Sequence, residues 1–226
     1  MKPVGILGGM GPEATILLMQ KVLDAVPARD DADHVPLIVH QNPQVPSRIK
    51  ALIEGTGRDP MPVLMSMAQD LERAGAQALA MPCNTAHHYA LAVRNATTLP
   101  FLDMIGLTVD HLIRTGARRI GMLASPAVRK VGVFDPAFEA AGLTQVWPKD
   151  DKSLLDVIRA VKAGAPASVA APPLCRVAQS LAGAGADHLL VACTELSLLT
   201  DALPADPPHT DSLDCLRDAI IAFAKG

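Results

Sequence analysis

Two cysteines, Cys83 and Cys193, stand 110 residues apart at the ends of matching segments, AGAQALAMPC (74–83) and AGADHLLVAC (184–193). Each segment reads Ala-Gly-Ala, six more residues, then a thiol. A thiol on either side of one tetrahedral carbon suits inversion of a stereocentre that bears an acidic hydrogen. One sulfur removes the proton from the first face while the other returns a proton to the opposite face, and the roles exchange in the reverse direction. An unperturbed thiol near pKa 8.5 is only about 3% ionised at pH 7, so forming the thiolate costs roughly 2 kcal/mol. A helix starting just after each cysteine, at Thr85 and near Thr194, is expected to return roughly 0.3 to 1 kcal/mol through its dipole. Two thiolates in one dry cleft repel, which favours the mixed thiol and thiolate state. A single cysteine on an apolar strand is ordinarily packing. The repetition of the motif, followed by Asn84-Thr85 and by Thr194-Glu195, points to function instead.

The elements that must hold these thiols alternate between strand and helix. Val4 to Leu7 reads as a strand running into Gly8, Gly9 and Gly11, and Pro12 is placed to open a helix over 13–26. Strands are expected at Leu37 to His40, Ala78 to Met81, 118–125 and 188–193. Helices are expected over 62–76, 153–164, 173–186 and 211–225, with LPADPP (203–208) as a linker. Asn84 or Thr85 is expected to cap the helix after Cys83. This alternation predicts an α/β fold of two similar Rossmann-like domains with parallel sheets, related by a pseudo-twofold axis, with the site in the cleft between them. The first domain is expected to span residues 1–101 plus 208–226, and the second 102–207. Ligands of such sheets collect beyond the carboxyl ends of the strands, where the glycine loop, Cys83, Ser125 and Cys193 all fall.

Composition narrows the partners. The 226 residues are 50% hydrophobic and 3% aromatic, with a formal charge of -3 and no basic run. Neither a nucleic-acid surface nor a membrane is an expected partner, and a small molecule is. With no signal-like or spanning stretch, a cytoplasmic location is expected. The four cysteines lack metal spacing and disulfide density, and Cys175 and Cys215 fall within amphipathic helices.

GILGGMGPEAT (5–15), NPQVPSR (42–48), MPCNTAH (81–87), KAG (162–164) and ACTELS (192–197) together resemble the aspartate/glutamate racemase family over nearly the whole chain, most closely its aspartate branch. The resemblance implies two α/β halves, usually in a homodimer, no cofactor, and an amino acid held between two catalytic cysteines. It implies that Cys83 and Cys193 are the acid/base pair, with Cys193 acting on the L and Cys83 on the D enantiomer. Arg48 and Lys162 match residues that hold the substrate's second carboxylate, a role suited to a guanidinium fork and a point charge. Met10, Asn84, Thr85, Ser125 and Thr194 match positions around the ammonium and α-carboxylate, and Glu195 is expected to orient Cys193 or share in proton handling. Glutamate racemases instead carry an SGVGG-like start and a GCTHYP-like second motif, so aspartate is favoured over glutamate, with a broader range of amino acids as an open alternative. Phe134 stands where a tyrosine is common in the family, and no hydroxyl contact carries over there.

Other readings fit less well. Gly9-x-Gly11-x-x-Ala14 satisfies a relaxed dinucleotide fingerprint, but the second strand ends in His40, Gln41 and Asn42 with no acid for a ribose. Cys83, His87 and His88 suggest a metal, yet adjacent histidines on a helix point about 100 degrees apart and no second cluster completes the set. A non-catalytic two-lobed amino-acid-binding protein has no need of paired thiols.

Overall fold

The computed structural model describes residues 1–226. Eight strands form two four-stranded sheets, and every pairing is parallel. The first sheet holds β1 (Val4–Gly8), β2 (Leu37–Gln41), β3 (Ala78–Ala80) and β4 (Phe101–Leu102) in the order β2-β1-β3-β4. The second holds β5 (Arg119–Ala124), β6 (Thr144–Val146), β7 (His188–Ala192) and β8 (His209–Asp211) in the order β6-β5-β7-β8. The topology is therefore the same in both halves. The expected α/β architecture with two parallel sheets is the one observed.

The Ala-Gly-Ala repeat has a steric explanation that recurs in both halves. Gly75 and Gly185 take φ of +96° and +89°, a region that favours glycine, and turn the chain from helix into strand. Ala76 N–H then donates to Leu71 O, and Ala186 N–H to Leu181 O. Each alanine comes to rest on a glycine of the neighbouring strand. A Cβ on Gly5 would lie 2.9 Å from Ala76 Cβ and 3.1 Å from Leu71 Cβ, and one on Gly121 would lie 3.1 Å from both Ala186 Cβ and Leu181 Cβ. The repeat thus fixes how closely helix and sheet approach.

Helices cover both faces of each sheet. In the first half, α1 (Pro12–Asp24) buries Leu18 and Val22 with Val4 and Ile6 on one face, while α2 (Met61–Arg73) buries Leu64, Met67 and Leu71 on the other. In the second half, α7 (Asp151–Lys162) and α8 (Ala167–Gly183) pack on one face. The opposite face receives α4 (Met104–Thr115) and α6 (Asp135–Ala141). Short helices α3 (Ala90–Asn95) and α5 (Pro126–Val131) complete the connections. The last helix, α9 (Ser212–Lys225), sends Leu213, Leu216 and Ile220 into the core shared with α1 and β1. No helix is long and apolar enough to cross a membrane.

Several elements differ from expectation. The chain after Cys83 forms a 3₁₀ turn at Thr85–Tyr89, and that after Cys193 another at Leu196–Ala202, instead of α-helices. Asn84 already has helical angles (φ -57°, ψ -47°), and a side-chain cap needs an extended residue, so neither Asn84 nor Thr85 caps this turn. Short turns align few peptides, which reduces the dipole assistance expected at the thiols. α8 begins six residues before the expected Pro173 and carries Pro172 and Pro173 within it. His209–Asp211, placed by sequence with the first unit, pairs with β7 as the edge strand of the second sheet. Its three residues follow a proline-rich stretch and are too short to show an alternating pattern.

Candidate active site

The carboxyl ends of the two sheets face a common cleft with about 370 Å³ of empty space, its open mouth included. Both thiols line it, and each cysteine is 7% exposed. β3 ends at Ala80 and β7 at Ala192, so both sulfurs sit just beyond strand ends, where backbone amides are no longer consumed by the sheet. Six more expected residues, Met10, Arg48, Thr85, Ser125, Lys162 and Glu195, line the same cleft. Asn84 and Thr194 do not.

These two are turned to another task. Thr194 Oγ1 donates to the carbonyl of Pro82, the residue before Cys83, at 3.3 Å. Asn84 Nδ2 donates to Ser212 Oγ at 2.9 Å, and Ser212 Oγ donates onward to the Val191 carbonyl in the strand that carries Cys193. The residue after each cysteine therefore ties to the chain that leads to the other one. Both are buried, at 2% and 1% exposure. Thr85 Oγ1 and Ser125 Oγ, 3.1 Å apart, add a contact across the cleft, and Ser125 also caps α5 by accepting from Val128 N–H.

Charge is concentrated at one end of the cleft. Glu195, 7% exposed, accepts from the Cys193 thiol with Oε2 at 3.2 Å and holds the Lys162 ammonium with Oε1. Burial pushes the Cys193 thiol pKa well above the ordinary range, and the neighbouring Glu195 carboxylate raises it further, with Lys162 opposing. For Lys162, burial acts downward, but the Glu195 carboxylate and then the two thiols outweigh it, so its pKa is raised. Arg48 reaches the cleft from the loop after β2, braced by its own guanidinium donating to Pro46 O at 3.0 Å.

The glycine loop enters the same space. A Cβ on Gly11 would lie 3.5 Å from Glu195 Oε1 and 3.7 Å from Lys162 Nζ. Gly9, at φ +91°, lets the loop lie against Asn42, whose carbonyl carbon would be 2.4 Å from a Cβ there. Ser47, Ile49 and Ile158 also line the cleft and were not singled out from the sequence. Ile158 had a signal, because it lies one helical turn before Lys162 on α7. His87 donates from Nδ1 to the Cys83 carbonyl at 2.9 Å and is packed in the core beneath the thiol loop. No group of three or more His, Cys, Asp or Glu side chains is placed to hold a metal. Phe134 is 1% exposed and stacks edge-on with Phe138, 5.7 Å between ring centroids, within the core.

The profile of the Asp/Glu/hydantoin racemase family matches residues 7–219. A broad specificity amino-acid racemase of Bacillus subtilis is 25% identical over 97% of this chain and 96% of its own length. The solved structure of a Picrophilus torridus aspartate racemase superimposes with a TM-score of 0.89 at 29% identity, covering 100% of this chain and 95% of that one. An aspartate racemase homologue from Pyrococcus horikoshii, covered completely in both chains, gives 0.76 at 22% identity, a likeness of fold. With the family profile spanning most of its length and the two-sheet architecture shared, this chain belongs to the Asp/Glu/hydantoin racemase family.

Proposed function

We propose that this racemase interconverts L- and D-aspartate without a cofactor, using Cys83 and Cys193 as a two-base pair. The observation that carries the reading is the presence of both thiols in one cleft, held there by the reciprocal ties of Thr194 and Asn84. In each turnover a thiolate takes the Cα proton, and the opposite thiol gives its own proton to the other face of the resulting carbanion. The S–H bonds made and broken balance, so the net change is inversion alone. In this reading the Thr85 and Ser125 hydroxyls, which line the cleft, meet the α-carboxylate, and Arg48 with Lys162 meets the second carboxylate. Orientation and carbanion stabilisation supply most of the rate, since the thiols alone are weak bases toward an α-carbon.

Broad amino-acid specificity is a second reading, favoured by one observation. Lys162 is already paired with Glu195, which leaves Arg48 as the cleft's cation without an ion-pair partner. The experiment that separates the two is turnover of a panel of amino acids in deuterated water, scored for the opposite enantiomer and for α-deuterium. Aspartate is expected to lead. Neither product from aspartate, with turnover of other amino acids, would transfer the assignment to the broad reading, and neither product from any amino acid would remove racemisation.

A further inference from the structure

The two thiols are equal in burial and unequal in company. Cys193 Sγ donates to Glu195 Oε2 at 3.2 Å, while the other oxygen of the same carboxylate is held by Lys162. No carboxylate accepts from the Cys83 sulfur, and the polar ties of that residue are made by its backbone: its N–H donates to the Met81 carbonyl and its own carbonyl receives the Nδ1 proton of His87. An ionised carboxylate can only accept hydrogen bonds, so it favours S–H over S⁻ beside it.

We infer that Glu195, clamped by Lys162, is a positioning residue that holds Cys193 as the protonated sulfur of the unliganded cleft, leaving the role of base to Cys83. The inference rests on the two-thiol reading above and adds which thiol is the acid before substrate arrives. Other charges facing this corner are Lys162 from α7, Arg48 from the loop after β2, and Glu13 from the first turn of α1, whose Oε2 lies 3.5 Å from a Cβ position on Gly11. Glu195 favours the protonated sulfur through direct contact. Lys162 opposes it, but its contact is with Glu195 and not with the sulfur. The raised pKa of Cys193, caused by burial and then by Glu195, agrees with this geometry.

A turnover from the resting state moves the Cα proton to Cys83 and the Cys193 proton to the opposite face of the carbon. The cleft is left inverted, with Cys83 protonated and Cys193 as the thiolate beside a carboxylate, and must relax by exchanging one proton. Because two enantiomers have equal free energy, kcat/KM is the same in both directions at every pH. The asymmetry therefore shows in the separate constants. When this relaxation is fast relative to turnover, the enantiomer whose proton Cys193 removes has the higher KM and, by the same factor, the higher kcat.

The test is iodoacetamide alkylation of the unliganded protein across pH, with the Cys193 and Cys83 peptides followed separately by mass spectrometry, in the wild type and in Glu195→Gln. The Cys193 midpoint is expected to fall by about one pH unit or more in the variant, while that of Cys83 does not fall. Glu195→Asp, which withdraws the carboxylate by one methylene, shifts Cys193 in the same direction by less. With either enantiomer of aspartate, KM and kcat converge in Glu195→Gln, a change that simple loosening of the fold would not produce. An unmoved Cys193 midpoint in a folded variant overturns the inference even where racemisation persists. A shifted midpoint without turnover of any amino acid supports the role of Glu195 and overturns the racemase reading instead.

Discussion

The hydroxyl of Thr194 donates to the carbonyl of Pro82, joining the second thiol loop to the residue that precedes the first thiol. Only a few ångströms separate a productive from an unproductive placement of two acid/base groups, so a bond that spans the halves beside both sulfurs bears directly on rate. Thr194→Val keeps the shape and removes the donor, leaving the Pro82 carbonyl unpaired in a buried place. A loss of about 1–3 kcal/mol of stability is expected, together with a fall in kcat of at least about tenfold and little change in KM. Urea denaturation and steady-state kinetics measure the two effects, and an unchanged kcat would show that the tie is structural alone.

Each cleft cysteine is expected to be individually indispensable. Cys83→Ala and Cys193→Ala should abolish net inversion while leaving circular dichroism and the unfolding midpoint close to those of the wild type, since each removes a single atom at a cavity wall. Full racemisation by either variant would refute a two-base mechanism.

Arg48 is expected to act on binding far more than on stability. Its guanidinium is tied only to carbonyls of its own loop, Pro46 and Val45, so Arg48→Ala leaves the sheet cores untouched. Loss of a charge-assisted contact of about 1.5–3 kcal/mol corresponds to a rise in the KM for aspartate of roughly ten- to hundredfold. The melting temperature should be nearly unchanged. An unaltered KM would take Arg48 out of the substrate site.

A buried acid outside the cleft predicts a pH signature of folding. Asp211, 3% exposed, caps α9 through Leu213 N–H and accepts from Ser197, yet burial raises its pKa to about 6 against those hydrogen bonds. The folded state thus holds a proton that the unfolded chain has already released between about pH 4 and pH 6. The stability contributed by this group is complete below that window and is lost as pH rises through it. The difference in unfolding free energy between wild type and Asp211→Asn should therefore move in favour of the variant by about 2 kcal/mol from pH 4 to pH 6. Urea titrations at several pH values measure it, and a flat difference would show that Asp211 is not perturbed in this way.

Much of this was legible in the chain itself. The Ala-Gly-Ala repeat announced two equivalent helix-to-strand turns because only glycine takes the positive φ at 75 and 185 cheaply, and because the flanking alanines must fit against Gly5 and Gly121. The cysteines, the glycine loop and Arg48 were visible as residue types that strands and helices do not require at those places. Short elements were less visible. β4 and β8 have two and three residues, which is too few for a period to register. α4 carries the helical spacing of Ile105, Val109 and Leu112 together with the capping Asp103, a signal present in the sequence itself.

By itself, then, the sequence determined the alternation of strand and helix, the duplication, and the pair of thiols at equivalent strand ends. Each of these depends on neighbours within a turn or two. Tertiary structure decided what the residues beside the thiols do: that Asn84 and Thr194 tie the halves together instead of lining the cleft, and that Glu195 lies between Cys193 and a lysine 33 positions away. Those outcomes depend on how closely two distinct sheets approach, a distance set by packed cores and not written in any local pattern.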